Sequence, residues 1–233
     1  KHYIEAQDMA TSGWDYTSSS SYITLSFWCK SSVAQNFYGR LETFDGTGQG
    51  YVFETGSLTA DTWTKITKTI PGNSNLTFDN NSSSGFLIEI AMFRGTDKTG
   101  TRPLNAWHTF AGDTRLPDMT STWYTTNDAT FEFTGVQLEL GSTATDFEHR
   151  SYGEELALCQ RYFCIWSREN NGSANVVAQT GYWASGTVFE GFVNFPVEMR
   201  VIPTLTTSTL SSSAKIQVLN PQTSWHSATA VAA

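Results

Sequence analysis

Charge is scarce in this chain. Asp, Glu, Lys and Arg make up 15% of its 233 residues, against about a quarter in an average soluble protein. Ser, Thr, Asn and Gly fill the gap beside a 39% hydrophobic fraction, which excludes both a disordered tail and a helix-rich enzyme. Positive charge is scarcer still, with 14 Lys and Arg against 22 Asp and Glu, a net charge of −8 and no basic cluster. A phosphate backbone is repelled by such a surface, so no nucleic-acid partner is expected. No apolar run approaches the roughly 20 residues a helix needs to cross a bilayer, so no membrane insertion is expected. Cysteine is limited to Cys29, Cys159 and Cys164. An odd count makes a poor disulfide framework, and three reduced, mostly buried thiols are expected. No signal peptide opens the sequence; Lys1 starts inside a strand-like pattern, as a fragment would.

What is abundant is aromatic residues, 14% of the chain with 8 Trp, set among strand signals. His2 to Gln7 alternates as a half-buried strand, and a loop over Asp8 to Ser20 follows. Tyr22 to Lys30 is the clearest strand: Ile23, Leu25, Phe27 and Cys29 face one way, and Thr24, Ser26, Trp28 and Lys30 the other. Phe37 to Phe44 and Tyr51 to Glu54 continue the meander across the turn Asp45-Gly46-Thr47-Gly48. Trp63 to Ile70 alternates until Pro71-Gly72, and Phe86 to Phe93 is apolar enough for a central strand. Arg94 to Asp128 reads as one long polar loop dotted with Trp107, Phe110, Trp123 and Tyr124. Phe131 to Leu140 closes the domain as a last alternating strand.

One stretch breaks the β habit. Ser151 stands as an N-cap with Glu154 three residues on, and helix formers follow, which predicts about two turns of helix running into a strand over Arg161 to Ser167. Further strands are expected over Asn175 to Gln179, Thr187 to Phe195, Thr204 to Thr209 and Lys215 to Leu219. Short strands punctuated by Gly, Pro, Asn and Ser predict an all-β protein built from sandwiches. The expected organisation is an N-terminal domain over 1–146, a junction with a short helix over 147–163, and a small C-terminal β-sandwich over 164–233.

The run from Thr134-Gly135-Val136-Gln137-Leu138-Glu139-Leu140 through Asp146-Phe147-Glu148-His149-Arg150-Ser151-Tyr152-Gly153-Glu154-Glu155-Leu156 to Cys159-Gln160-Arg161-Tyr162-Phe163 resembles a junction that recurs in tail-fibre and other structural proteins of bacteriophages, marine ones especially. Ile4 to Asp8, Leu25 to Ser31 and Phe195 to Thr204 are similar to other parts of the same family. The resemblance implies an antiparallel jelly roll of the carbohydrate-binding-module, galactose-binding-like kind before the junction, and a small β domain after it. It also implies location in the virion after assembly in the host bacterial cytoplasm, with other virion proteins as partners. Jelly rolls of this shape often hold a structural calcium through an Asp-Asp-Val pattern beside the last strand. Thr134-Gly135-Val136 stands there instead, without a carboxylate, so no metal is expected.

Catalytic signals are sparse. His2, His108, His149 and His226 show no i, i+4 pair, and no Cys-x-x-Cys accompanies them. Glu148-His149-Arg150 precedes the helix and reads as a structural junction. His108 and Asp113 share the long loop, yet no nucleophile motif goes with them. Glu5, Glu42, Glu54 and Glu89 lie on strands, where pairing for glycoside cleavage is an open alternative. No enzyme activity and no cofactor are expected. Aromatic residues offer a stronger case, because sugar rings stack on exposed Trp and Tyr. Trp14, Tyr16, Trp107, Trp123 and Tyr124 fall in loops, where glycan contact competes with core packing or subunit contact. Trp28 and Trp63, on strands, are expected to pack between sheets or under a covering loop.

The resulting expectation is a non-enzymatic, fibre-like virion protein that engages host-surface polysaccharide. Its rivals are a purely architectural capsid- or neck-attached segment and a glycan depolymerase. Ile23, Leu25, Phe27, Ile88, Ile90, Val136 and Leu138 are expected to point inward. A homotrimer is expected, because Val188, Phe192, Val193, Phe195, Val197, Ile202 and Leu205 are many for so small a C-terminal core.

Overall fold

The computed structural model describes residues 1–164, 181–183, 189–191, 195–201, 216–220 and 224–228. The chain divides into two units, Lys1–His149 and Arg150–Ala233. The junction expected over 147–163 is therefore cut at Arg150, and Phe147 to His149 belong to the first unit.

Period-two alternation builds the first unit. Its strands are β1 (His2–Glu5), β2 (Tyr22–Ser31), β3 (Asn36–Thr43), β4 (Gln49–Ser57), β5 (Thr64–Pro71), β6 (Ser84–Ala91), β7 (Trp107–Thr109) and β8 (Phe131–Leu140). They form a five-stranded sheet in the order β1-β6-β3-β4-β7 and a three-stranded sheet in the order β5-β2-β8, with every ladder antiparallel. The protein is all-β, a sandwich with its core between these sheets. The alternation of β2 places Ile23, Leu25, Phe27 and Cys29 in that core, where Phe37, Leu41, Tyr51, Phe53, Phe86 and Ile88 meet them. Burying each large apolar side chain contributes on the order of 2 kcal/mol. Gly39 is required by this packing: a Cβ there would run into the Phe53 ring and the Glu89 carbonyl. The edge strand β5 carries Lys65 and Lys68, charges that discourage pairing with another sheet.

Three expectations need correction. The first strand stops at Glu5, and helix α1 (Ala6–Ala10) follows, because Ala6 and Met9 bury one helical turn apart. Val136 is 40% exposed. The register between β2 and β8 slips beside Phe27, where Gly135 adopts a φ of 59°, so Gly135 and Val136 together oppose one residue. Beside this bulge Val136 stays out of the core cluster, while Leu138 still packs against it; Ile90 is half-buried there too. The stretch Arg94 to Asp128 is not plain loop. It holds a 3-10 turn (Thr96–Lys98), β7 and helical turn α2 (Thr122–Thr125), and it covers the outer face of the larger sheet. There Leu116 is fully buried with Val52 and Ala91, flanked by Tyr38, Leu104 and Met119.

After β8 the chain doubles back across the outer face of the smaller sheet. The Gln137 amide nitrogen donates to Thr145 Oγ1 at 3.1 Å and to the Asp146 carbonyl at 3.3 Å, and its oxygen accepts from the Glu148 N–H at 2.8 Å. Glu139 accepts from the Thr145 N–H at 3.1 and 3.2 Å. Hydrogen bonds from Gln137 and Thr145 hold the Glu139 carboxyl below its ordinary range, with the charge of Lys65 adding to them. Thr24 and Thr69 donate to the carbonyls of Gly141 and Ser142. This strap accounts for the burial of the outward residues Thr24 and Ser26.

In the second unit, α3 (Tyr152–Gln160) starts as its sequence predicts. Ser151 accepts from the Glu154 N–H while the Glu154 carboxylate accepts from the Ser151 N–H, completing a capping box. Arg150 pairs with Glu155 at 3.1 Å. Among the described residues two antiparallel strand pairs follow, β9 (Gly181–Trp183) with β10 (Phe189–Gly191), and β11 (Ile216–Asn220) with β12 (Ser224–Ala228). The strand expected over Arg161 to Ser167 is absent at 161–164, where the chain turns after α3, and its remainder, 165–167, lies outside the described residues, as do 175–179, 204–209, Val188, Phe192, Val193, Ile202 and Leu205. Phe195 is exposed and Val197 half-buried. All three cysteines are free thiols, but only Cys29 is buried; Cys159 is exposed on α3 and Cys164 half-buried. Burial pushes the Cys29 thiol up to about 11.

The bulge makes two neighbouring apolar positions unequal. Leu25→Ala is expected to cost about 3 kcal/mol, and Val136→Thr about 0.5 kcal/mol or less, measured by urea denaturation. Similar losses from both would mean that Val136 packs inside.

Candidate functional site

The outer face of the larger sheet starts from a charge that sits under cover. Arg40 on β3 lies directly across from Glu89 on β6, two residues before Glu42 on its own strand. All three are buried. Arg40 Nε donates to Glu89 Oε2 at 2.6 Å, and its terminal nitrogen pairs with Glu42. Arg94, where the covering segment leaves β6, pairs with Glu89 from the other side, and Lys1 lies 3.9 Å away. Burial alone would raise the Glu89 carboxyl; Arg40 and Arg94 outweigh it and hold the group below the usual carboxylate range.

The covering segment is fastened at further points. The Phe110 ring has the guanidinium of Arg40 at 5.5 Å and that of Arg115 at 5.8 Å. His108 stands against Gly50, with Nδ1 3.3 Å from the Ala106 carbonyl; burial, reinforced by Arg102, lowers its affinity for a proton. Asp113 pairs with Lys98 at 3.2 Å, so His108 and Asp113 have different partners. Of the four strand carboxylates, Glu42 and Glu89 are brought together on Arg40, whereas Glu54 accepts from Asn36 at 2.8 Å and Glu5 accepts from Gln7 at 2.8 Å.

At the end of the covering segment, residues 121–130 present the one widely exposed ring among the five loop aromatics. The Trp123 N–H donates to Gln35 Oε1 at 2.9 Å, and its indole nitrogen donates to the Thr130 carbonyl at 3.0 Å. The Trp123 ring meets Phe37 edge-on at 6.2 Å. With that anchor set, the next residue, Tyr124, points outward. It is 65% exposed and lies face to face on Phe93, with centroids 4.4 Å apart and planes 10° apart. The ladder that pairs Tyr38 with Ala91 runs toward Asn36 on β3 and Phe93 beyond β6. An aromatic platform thus stands at the rim that carries the Asn36–Glu54 amide–carboxylate pair.

The other loop aromatics are engaged in packing. Trp14 is only 4% exposed and belongs to the core, so its ring is closed to a sugar. Tyr16 packs edge-on against Phe78 at 4.9 Å. Trp107 donates to the Pro71 carbonyl at 2.7 Å and leans on Tyr51. Trp123 holds its loop in place. The two strand tryptophans invert the expectation: Trp28 and Trp63 are each 42% exposed on the outer face of the smaller sheet. The alternation of β2 already carried this signal, because Trp28 shares its face with Thr24, Ser26 and Lys30.

Among the described residues, no group of three or more His, Cys, Asp or Glu side chains comes together to hold a metal ion. Gly135, within Thr134-Gly135-Val136, takes a φ of 59° at the bulge in β8. No helix among the described residues is long and apolar enough to cross a membrane. Compared with protein-family models, curated proteins and solved structures, the chain matches none.

Glu89→Gln leaves Arg40 and Arg94 sharing an uncharged group under cover, and about 3 kcal/mol of stability is expected to be lost. The pH dependence follows from the lowered carboxyl. The Glu89 contribution is fully present above the unfolded value of about 4.3 and disappears as pH falls through the lower folded value. Urea midpoints measured from pH 7 down to pH 2 should therefore fall less steeply for Glu89→Gln than for the native chain. Parallel curves would exclude Glu89 as a source of the acid sensitivity.

Proposed function

We propose that this chain is a non-enzymatic, fibre-like structural module of a bacteriophage virion that contacts host-surface glycans through Tyr124 on its Phe93 support. The observation that carries the glycan contact is the platform itself. An exposed ring held parallel on a second ring offers a flat, preorganised face for the C–H side of a pyranose. Asn36 and Glu54 at the same rim are of the donor and acceptor types that select hydroxyls. The virion assignment draws on the junction resemblance and is proposed with it, together with assembly among other virion proteins.

A non-catalytic role is supported by the state of the carboxylates. A glycosidase acid needs a raised pKa, whereas Glu89 is held down and Glu42 is bound to the same guanidinium. One observation favours the architectural rival: Trp14, Tyr16, Trp107 and Trp123 are engaged in packing, which leaves one of the five loop aromatics widely exposed.

Glycan-array binding by the full chain separates these readings. Retention of a host-type glycan, weakened about fivefold by Tyr124→Ala, is the expected result. An array without any signal would leave the architectural segment, and release of reducing ends from host polysaccharide would establish a depolymerase. A homotrimer belongs to the same proposal, since three copies raise the effective concentration of weak contacts. Light scattering at micromolar concentration should give three times the subunit mass; the mass of one subunit would refute it.

A further inference from the structure

We propose a second saccharide-contact surface on the same unit, formed by Trp28, Trp63 and the Lys30–Glu132 ion pair on the outer face of the smaller sheet, that takes a neutral pyranose. It rests on the reading that the module contacts glycans, but on different residues from the Tyr124 platform.

The ladders map this face row by row. Glu139, Thr24 and Thr69 form one row across β8, β2 and β5; Gln137, Ser26 and Thr67 form the next. Beyond the bulge come Thr134, Trp28 and Lys65, and then Glu132 beside Lys30. Trp63 precedes the first paired residue of β5 and completes the last row, with Lys30 Nζ 5.3 Å from its ring centroid. The strap over residues 141–148 is bonded to the first two rows through Thr24, Thr69, Gln137 and Glu139. Phe147 closes over Gly135: a Cβ placed on that glycine would lie 3.6 Å from the Trp28 ring and 3.8 Å from the Phe147 ring. The cover ends there, and the two tryptophan rows remain open.

Two indoles, each 42% exposed on neighbouring rows, form a stacking surface, and the polar groups among them indicate the ligand class. Lys30 is neutralised by Glu132 at 2.8 Å, and Lys65 and Glu139, two rows apart on the same face, carry opposite charges. The face therefore offers hydrogen-bond donors and acceptors without a net positive charge to hold a carboxylate or sulfate. That combination matches a sugar ring whose C–H face stacks on indole while its hydroxyls meet an ammonium and a carboxylate. A purely apolar partner would leave the Lys30–Glu132 pair desolvated beneath it, at a cost.

The test uses the full chain with 15N-labelled tryptophan and 13C-labelled tyrosine, titrated with methyl glucoside, methyl galactoside, methyl mannoside, N-acetylglucosamine and glucuronate. Indole signals are assigned with Trp28→Phe and Trp63→Phe. At least one neutral sugar is expected to shift the Trp28 and Trp63 signals saturably, while glucuronate leaves them in place. Trp63→Ala should raise the apparent Kd at the Trp28 signal about fivefold or more, and Tyr124→Ala should not change it. Neutral sugars that move the Tyr124 signal but neither indole would overturn this surface and leave the first platform standing. Tighter binding of glucuronate would overturn the neutral class. Indole shifts that follow protein concentration instead of sugar would make the face a self-association surface and refute the proposal. Absence of any sugar response at all three residues would refute both glycan sites together.

Discussion

Arg40 cannot lie under a covering segment without carboxylates beside it, and the outer face of the larger sheet is organised around that constraint. A buried guanidinium costs several kcal/mol unless its charge and its directional N–H groups are met. Glu89 meets it across the ladder and Glu42 along the strand, while Arg94 pairs with Glu89 from the other side. Removing one member leaves its partners charged in a poorly solvated place, so the four groups act as a unit. Arg94 also stands where the chain leaves β6, which ties the start of the 94–120 cover to the centre of the sheet. Phe110, set against Arg40, ties its middle. Leu116, buried against Val52 and Ala91, supplies the apolar part of the same closure.

What the sequence revealed and what it hid divide along the range of the forces involved. Alternation along β2 and the full extent of Phe131–Leu140 were legible because a strand face repeats every two residues. The helix start was legible because a capping box is a local exchange of two hydrogen bonds. The Arg40–Glu89 pair joins residues 49 positions apart, so nothing local announces it. Val136 was misplaced because simple alternation does not foresee the extra residue at Gly135. The 94–120 cover read as loop because its apolar residues are too sparse for a period, although Leu116 is as buried as any core leucine.

The aromatic residues show the same division in sharper form. A loop position leaves both outcomes open, and Trp14 takes the packed one: its loop folds onto the core and carries the indole along. A strand position does not bury a ring by itself, as Trp28 shows, since a two-layer sandwich gives every strand an outer face. Exposure is decided by what covers each face. Trp123 anchors the loop on Phe37 and the Thr130 carbonyl, and Tyr124 beside it stays 65% exposed.

The two sheets are covered by different means, and this determines which parts of each outer face stay open. The larger sheet is closed by a segment inserted between β6 and β8, held by buried ion pairs and an apolar plug; what stays open is its rim, where Phe93 and Tyr124 meet. The smaller sheet is closed by the strap that follows β8, held through Gln137 and Glu139, and it stays open beyond Phe147. The junction residues that suggested a bacteriophage module are largely the residues of this strap and of the helix cap after it. Their side chains are occupied in fixing the path by which the chain leaves the sandwich. A motif with that job fixes an exit path, and it leaves undetermined the chemistry of the parts of each face that the covers leave open.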